Sequence, residues 1–373
     1  MDYEKARSST HEKLSGRLGD LACGKDLKSL QSFAKAYLGM YLDLDKALEP
    51  DQRVSLLADE NDINSIWSGF DALLCKPMPT PEQIGAVYAN NERMAEGYVI
   101  LAALDRHFRR HDNPLDKLSD EQFEALVCFN YANRNELERP WIIECVALRA
   151  GAYADALLRF WRQLPFSRNN NLPGFRQVLQ DVSYRPVLEQ LVLPVLVSFP
   201  HINKKSLKLL LLHAVQIIPL PALLDVCREH IEDTNDMPVV NHVYWLTMAY
   251  ILAPQQHQQL IMDYVGRTRE KALPMLAFIE SLIDQDEQKR LGLDAAMIAH
   301  FIHMIAPRFR PTRDQFGRLD DNVQKIERLF KLLGQDKSTE ARQAVLELRQ
   351  VRVLRVYSDF IDQVELQQSG LKP

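Results

Sequence analysis

Leu207-Lys208-Leu209-Leu210-Leu211-Leu212-His213-Ala214-Val215, followed two residues later by Ile218-Pro219-Leu220-Pro221-Ala222-Leu223-Leu224, is the stretch that decides the fold class. A leucine-rich run of this length reads as a buried helix. Two prolines then bar its continuation, because proline lacks a backbone N–H and clashes with the preceding turn. Proline is tolerated in a first helical turn, so a second helix can start at once. The same punctuation recurs from about Leu118 onward. Pro186, Pro194, Pro200, Pro219, Pro221, Pro238, Pro254, Pro274 and Pro307 are expected at or near helix starts and ends. No alternation of apolar and polar residues persists long enough to predict a strand. The fold class read from this pattern is all-α, an irregular HEAT-like α-solenoid of stacked antiparallel helix pairs.

Upstream, apolar residues from Leu30 to Leu42 recur at three- and four-residue steps, which predicts an amphipathic helix stopped by Pro50. Thr80-Pro81-Glu82 predicts a capped start, and one long helix is expected from there to about Arg110. The break at His111-Asp112-Asn113-Pro114 suggests a boundary. Residues 1–115 are therefore read as an N-terminal helical region and 116–373 as the repeat array with capping helices. Ser119 and Gln122 have capping-box spacing. Gly151 and Gly334 are expected to close helices, and Ser167 to Gly174 to form a surface loop. The chain should close with helices over about 322–333, 338–349 and 351–367.

The 373 residues are 46% hydrophobic and 25% charged, so a sizeable core can be buried. A net charge of -5 supplies no global field to gather nucleic acid. The five cysteines are widely spaced, never as C-x-x-C, and read as single buried thiols in a reducing compartment. The polar N-terminus shows no secretory signal, and the longest apolar run, Leu188 to Phe199, is too short to span a bilayer. A cytoplasmic protein with no membrane contact is expected.

Chemistry is hard to place. There is no G-x-x-x-x-G-K-[ST] loop and no G-x-G-x-x-G, so no nucleotide cofactor is nominated. His107 and His111 could share a helix face, but Arg106, Arg109 and Arg110 surround them. A solvated helix end suits those charges better than a metal. His300 and His303 lie in an apolar helix and read as structural. Tyr244, Trp245 and Tyr250 read as core. No nucleophile, catalytic set, metal set or cofactor site is assigned. The binding candidates are arginine-rich: Arg308, Phe309, Arg310, Arg313 and Arg318 in one irregular segment, and Arg349, Arg352 and Arg355 as a basic stripe. Such groups can meet phosphates or an acidic protein face.

Pro311-Thr312-Arg313-Asp314, then Leu329-Phe330-Lys331-Leu332-Leu333-Gly334, Glu340-Ala341-Arg342-Gln343-Ala344-Val345-Leu346-Glu347-Leu348 and Leu354-Arg355-Val356-Tyr357, resemble the C-terminal helical repeats of large bacterial STAND-type (NACHT-like) NTPases. The resemblance covers residues 200–373. It implies a sensor or scaffold role in anti-phage defence, with a phage protein or a neighbouring NTPase module as partner. The ATPase module of that family is missing, so the chain is expected to be a C-terminal piece or a separate subunit. The leading expectation is non-catalytic protein recognition on a concave face. A nucleic-acid-binding helical repeat and a cryptic all-α enzyme are the alternatives. The latter requires a polar pocket with convergent histidine and carboxylate groups.

Overall fold

A computed structural model describes residues 3–41, 43–45, 47–111, 114–133, 141–165, 172–199, 201–232, 237–266, 268–284, 291–312 and 319–370. Among them lie 21 α-helices and no strand. The chain forms two compact units, divided between Val195 and Leu196. The first holds α1 (Tyr3–Leu14), α2 (Leu18–Ala22), α3 (Leu27–Tyr37), α4 (Pro50–Ser55), α5 (Glu60–Leu74), α6 (Pro81–Ala89), α7 (Gly97–Arg110), α8 (Asp120–Ala132), α9 (Trp141–Leu148), α10 (Ala150–Trp161) and α11 (Phe175–Gln180). The division falls inside α12 (Arg185–Ser198). The second unit holds α13 (Lys204–Ile217), α14 (Leu220–Glu232), α15 (Val239–Leu252), α16 (Pro254–Val265), α17 (Arg269–Asp284), α18 (Ala295–Ile305), α19 (Asp321–Gln335), α20 (Thr339–Gln350) and α21 (Ser358–Gln368). The described residues among 116–165 and 172–195, expected within the repeat array, pack in the first unit.

Several expected boundaries move, each for a local reason. The helix expected over 82–110 is two. Asn91 has φ 59°, the amide of Glu92 donates to the Val87 carbonyl and that of Asn91 to Tyr88, a Schellman close that ends α6. The helix expected to run to Pro50 stops at Tyr37, where Gly39 (φ 68°) makes the same closure. Pro50 instead opens α4 behind a Glu49–Gln52 capping box. Pro194 and Pro274 lie inside α12 and α17, not at their ends. Gly151 is the second residue of α10, and Gly334 lies within α19. A Cβ on Gly334 would come within 2.5 Å of Gln367 Oε1, so glycine there serves the close approach of α21. Of the expected surface loop, residues 167–171 lie outside the described residues. The caps of Thr80, Ser119 and Ser338 form as read.

The second unit is built around α15. Every residue from Asn241 to Ile251 is buried, including Tyr244, Trp245 and Tyr250. A helix with no polar face has to be enclosed on all sides. α13, α14, α16 and α17 pack around it. Some of its polar groups find partners inside, while Asn241 Oδ1 and Trp245 Nε1 are buried without one among the described residues. Asn241 Nδ2 donates to the Ile202 carbonyl at 2.8 Å, and Thr247 Oγ1 to the Val243 carbonyl at 2.6 Å.

The first unit buries charge. The Asp105 carboxylate accepts from the Tyr37 phenol (3.0 Å), the Trp141 indole (2.7 Å) and Arg109 Nε (2.8 Å). Burial, then the adjacent carboxylate, pushes the Tyr37 phenol well above its ordinary value, so it stays a donor. Arg53 donates to the Tyr37 carbonyl at 2.8 Å and caps the end of α3. At the end of α7 Arg109, Arg110 and His111 are exposed, as expected of a solvated helix end, but the charges a turn earlier and across from it are paired or covered. Arg106 is buried over the Trp67 ring at 4.2 Å, and Arg110 pairs with Asp51 at 2.8 Å. Cys128, Cys145 and Cys227 are buried, whereas Cys23 and Cys75 are exposed free thiols.

Asp105→Ala leaves a buried phenol and indole N–H without an acceptor. It should lower the unfolding free energy by about 2–5 kcal/mol in urea titration. A change below about 1 kcal/mol would show that the network contributes nothing net.

Candidate functional site

Two adjoining clefts of about 380 and 430 Å³ lie in the second unit and share His303. Three elements make their walls. From α16 come Pro254, Gln258, Met262 and the following Gly266, one residue every four positions and so a single helical face. From α18 come Met297, His300 and His303, continued by Pro307, Arg308 and Arg310. The third wall is Ala344, Glu347 and Leu348 of α20, then Val353 and Val356 of the 3-10 helix Arg352–Tyr357.

The first cleft gathers polar groups among apolar ones. The Tyr250 phenol lies 2.5 Å from His300 Nδ1, and the Gln258 amide 3.4 Å from Nε2. Burial first, then His303, pulls the His300 imidazole below its ordinary value. Burial, then Asp294, pushes the Tyr250 phenol up to about 12. Tyr250 therefore donates and a neutral His300 accepts at Nδ1. Asp294 caps α18, its Oδ1 accepting from the Met297 amide at 2.8 Å, and Glu347 is exposed at the opening. The lining carries no serine, threonine, cysteine or lysine to act as a nucleophile. The arrangement can accept and donate hydrogen bonds to a polar ligand.

The second cleft combines apolar and basic groups. Val353 and Val356 are each 56% exposed, beside Met262 and Met304. Arg308, Arg310, Arg352 and Arg355 are exposed, and none makes an ion pair or side-chain hydrogen bond among the described residues. The 3-10 segment explains this division. At three residues per turn, side chains three apart eclipse. Arg352 and Arg355 fall on one face, Val353 and Val356 on a second, and buried Leu354 and Tyr357 on the third.

The structure separates the arginine-rich candidates. Arg308 and Arg310 line the second cleft. Phe309 is buried, its carbonyl accepts from the Tyr357 phenol at 2.7 Å, and its ring lies 5.1 Å below Arg269. It anchors the segment and reaches the second cleft with only 3% of its surface exposed. Arg313 and Arg318 lie outside the described residues. Arg349 does not continue the stripe of Arg352 and Arg355, because it clamps α20 to α21 through Asp362 and Glu365. The expected helix over 351–367 begins instead as the 3-10 helix, which turns Arg352 and Arg355 away from that clamp. Sequence reasoning missed Val353, Val356 and the α16 face, and it read His300 and His303 as structural. The period of three in Arg-Val-Leu-Arg-Val-Tyr was the available signal.

Among the described residues no helix is long and apolar enough to cross a membrane. Comparison with protein-family models, with curated proteins and with solved structures gave no match.

The lowered His300 value has a consequence for stability. Below about pH 6.5 the unfolded chain takes up a proton before the folded one. Stability present above that pH should therefore decline as the pH falls towards the folded-state value. His242 and His257, also lowered by burial, act in the same direction. His300→Gln should flatten the dependence of melting temperature on pH below 6.5, and an unchanged slope would show that His300 titrates freely.

Proposed function

We propose that the second unit is a non-catalytic protein-recognition module whose adjoining clefts receive a partner segment with apolar side chains flanked by acidic ones. The carrying observation is the pair of exposed valines sharing a cleft with Arg308 and Arg310, whose guanidinium groups make no ion pair among the described residues. Exposed apolar surface rimmed by polar groups marks interaction sites, and arginine is enriched where proteins meet. The arginines would set orientation and on-rate, and the valines would supply burial.

The helix pairs of this unit are proposed to stack as an irregular HEAT-like solenoid. In support, most principal packing partners lie one or two helices apart, as α14 with α15, α15 with α17, α18 with α20 and α19 with α21. The resemblance to sensor repeats of STAND-type NTPases supplies the class of partner: a phage protein or a neighbouring NTPase module, met in the cytoplasm. The first cleft also satisfies the stated requirement of the enzyme alternative, convergent histidine and carboxylate groups. Recognition is preferred because the exposed valines and the arginines of the adjoining cleft suit a protein partner.

The test is capture from phage-infected and uninfected bacterial extracts, scoring protein and nucleic acid, with wild type, Val353→Ser/Val356→Ser and Arg308→Glu/Arg310→Glu as baits. All four positions lie at the surface or cleft edge, so each variant should fold. Recognition predicts a protein whose retention falls at least tenfold with both variants. Retained nucleic acid that is insensitive to the valine change and weakens steeply with salt would replace this reading with the nucleic-acid one.

A further inference from the structure

We infer that His11, Asp59 and Asp62 of the first unit form a binding site for one divalent transition-metal ion of the zinc class, joining the last turn of α1 to the head of α5. Asp59 is the N-cap of α5, and its Oδ1 accepts from the Asp62 amide at 3.0 Å. That bond fixes the carboxylate and leaves Oδ2 facing His11 Nδ1 at 3.0 Å. Both Asp62 oxygens lie 3.4 Å from the same nitrogen. One donor atom from each residue can be chosen so that all lie within 4.8 Å of one another.

Two observations favour a cation over a simple ion pair. The Asp62 side chain is 0% exposed, yet its one side-chain donor among the described residues is an imidazole nitrogen that Asp59 already engages at shorter range. A buried carboxylate left with idle lone pairs is costly, and a bound cation would use them. The spacing also fits. Tetrahedral zinc, with bonds of about 2.0–2.1 Å, places neighbouring donor atoms about 3.3 Å apart. The observed separations of 3.0 and 3.4 Å bracket that edge. Imidazole with carboxylates suits zinc or manganese, and three protein donors with one position left for water is the four-coordination zinc favours. His11 and Asp59 side chains are 52% and 41% exposed, which gives the ion an entry path and a water for its fourth position.

The full chain, freed of metal with chelator, is titrated with zinc chloride by calorimetry. Cobalt(II) then serves as a visible-absorption probe of tetrahedral geometry. Wild type should take up one equivalent at this site and show tetrahedral cobalt bands. His11→Gln and Asp62→Asn should each weaken uptake at least tenfold and lose those bands, while Glu340→Gln, an exposed position of the second unit, leaves them unchanged. Zinc should raise the melting temperature of wild type and not of His11→Gln. Because Asp62 is buried its variant can fail to fold, so the exposed His11→Gln decides. Absent uptake, or equal uptake by wild type and His11→Gln, would overturn the site and leave an ion pair.

Discussion

A helix without a solvent face dictates the second unit. α15 is buried on every side from Asn241 to Ile251, so its neighbours are defined by the duty of covering it. That duty also sets where polarity can surface. Tyr250, near the end of α15, is buried as a ring, but its hydroxyl emerges beside His300. α16 covers α15 with one side and leaves its Pro254–Gln258–Met262 face to line the clefts. The candidate site is thus the outer side of the packing that encloses one apolar helix.

The first unit solves the same problem with charge. Its centre is a carboxylate accepting three side-chain donors from α3, α7 and α9. Desolvating Asp105 is costly, and hydrophobic replacement of buried charges is often no worse for stability. What the network adds is direction. A carboxylate with defined lone pairs accepts a phenol, an indole and a guanidinium in one arrangement, whereas leucines would tolerate several. Arg53 and Arg106 extend this, one capping α3 and the other lying flat on Trp67.

How much could be read beforehand follows from the range of each interaction. Prolines and leucine-rich faces act locally, and they disclosed an all-helical chain. The caps at Thr80, Ser119 and Ser338 act over three residues and were legible for the same reason. Asn91 was not, because asparagine is acceptable in a helix and only the closing hydrogen bonds show that it has left one. Over the six residues from Arg352 to Tyr357, periods of 3.0 and 3.6 diverge by about one residue, so the 3-10 helix passed as α. Arg308 and Arg310 were conspicuous by composition. His11 and Asp62, 51 residues apart, were not, because no local pattern joins them.

The Arg352–Tyr357 segment has a consequence for how such a surface evolves. Its anchoring side chains, Leu354 and Tyr357, point inward, and Tyr357 holds the Phe309 carbonyl. The other four positions point outward and contribute little to holding the backbone. Selection can therefore exchange the two arginines and the two valines independently of folding. Insertion of a single residue would instead rotate all three faces together. A lineage under pressure to follow a changing target would tolerate substitution here and reject changes of length.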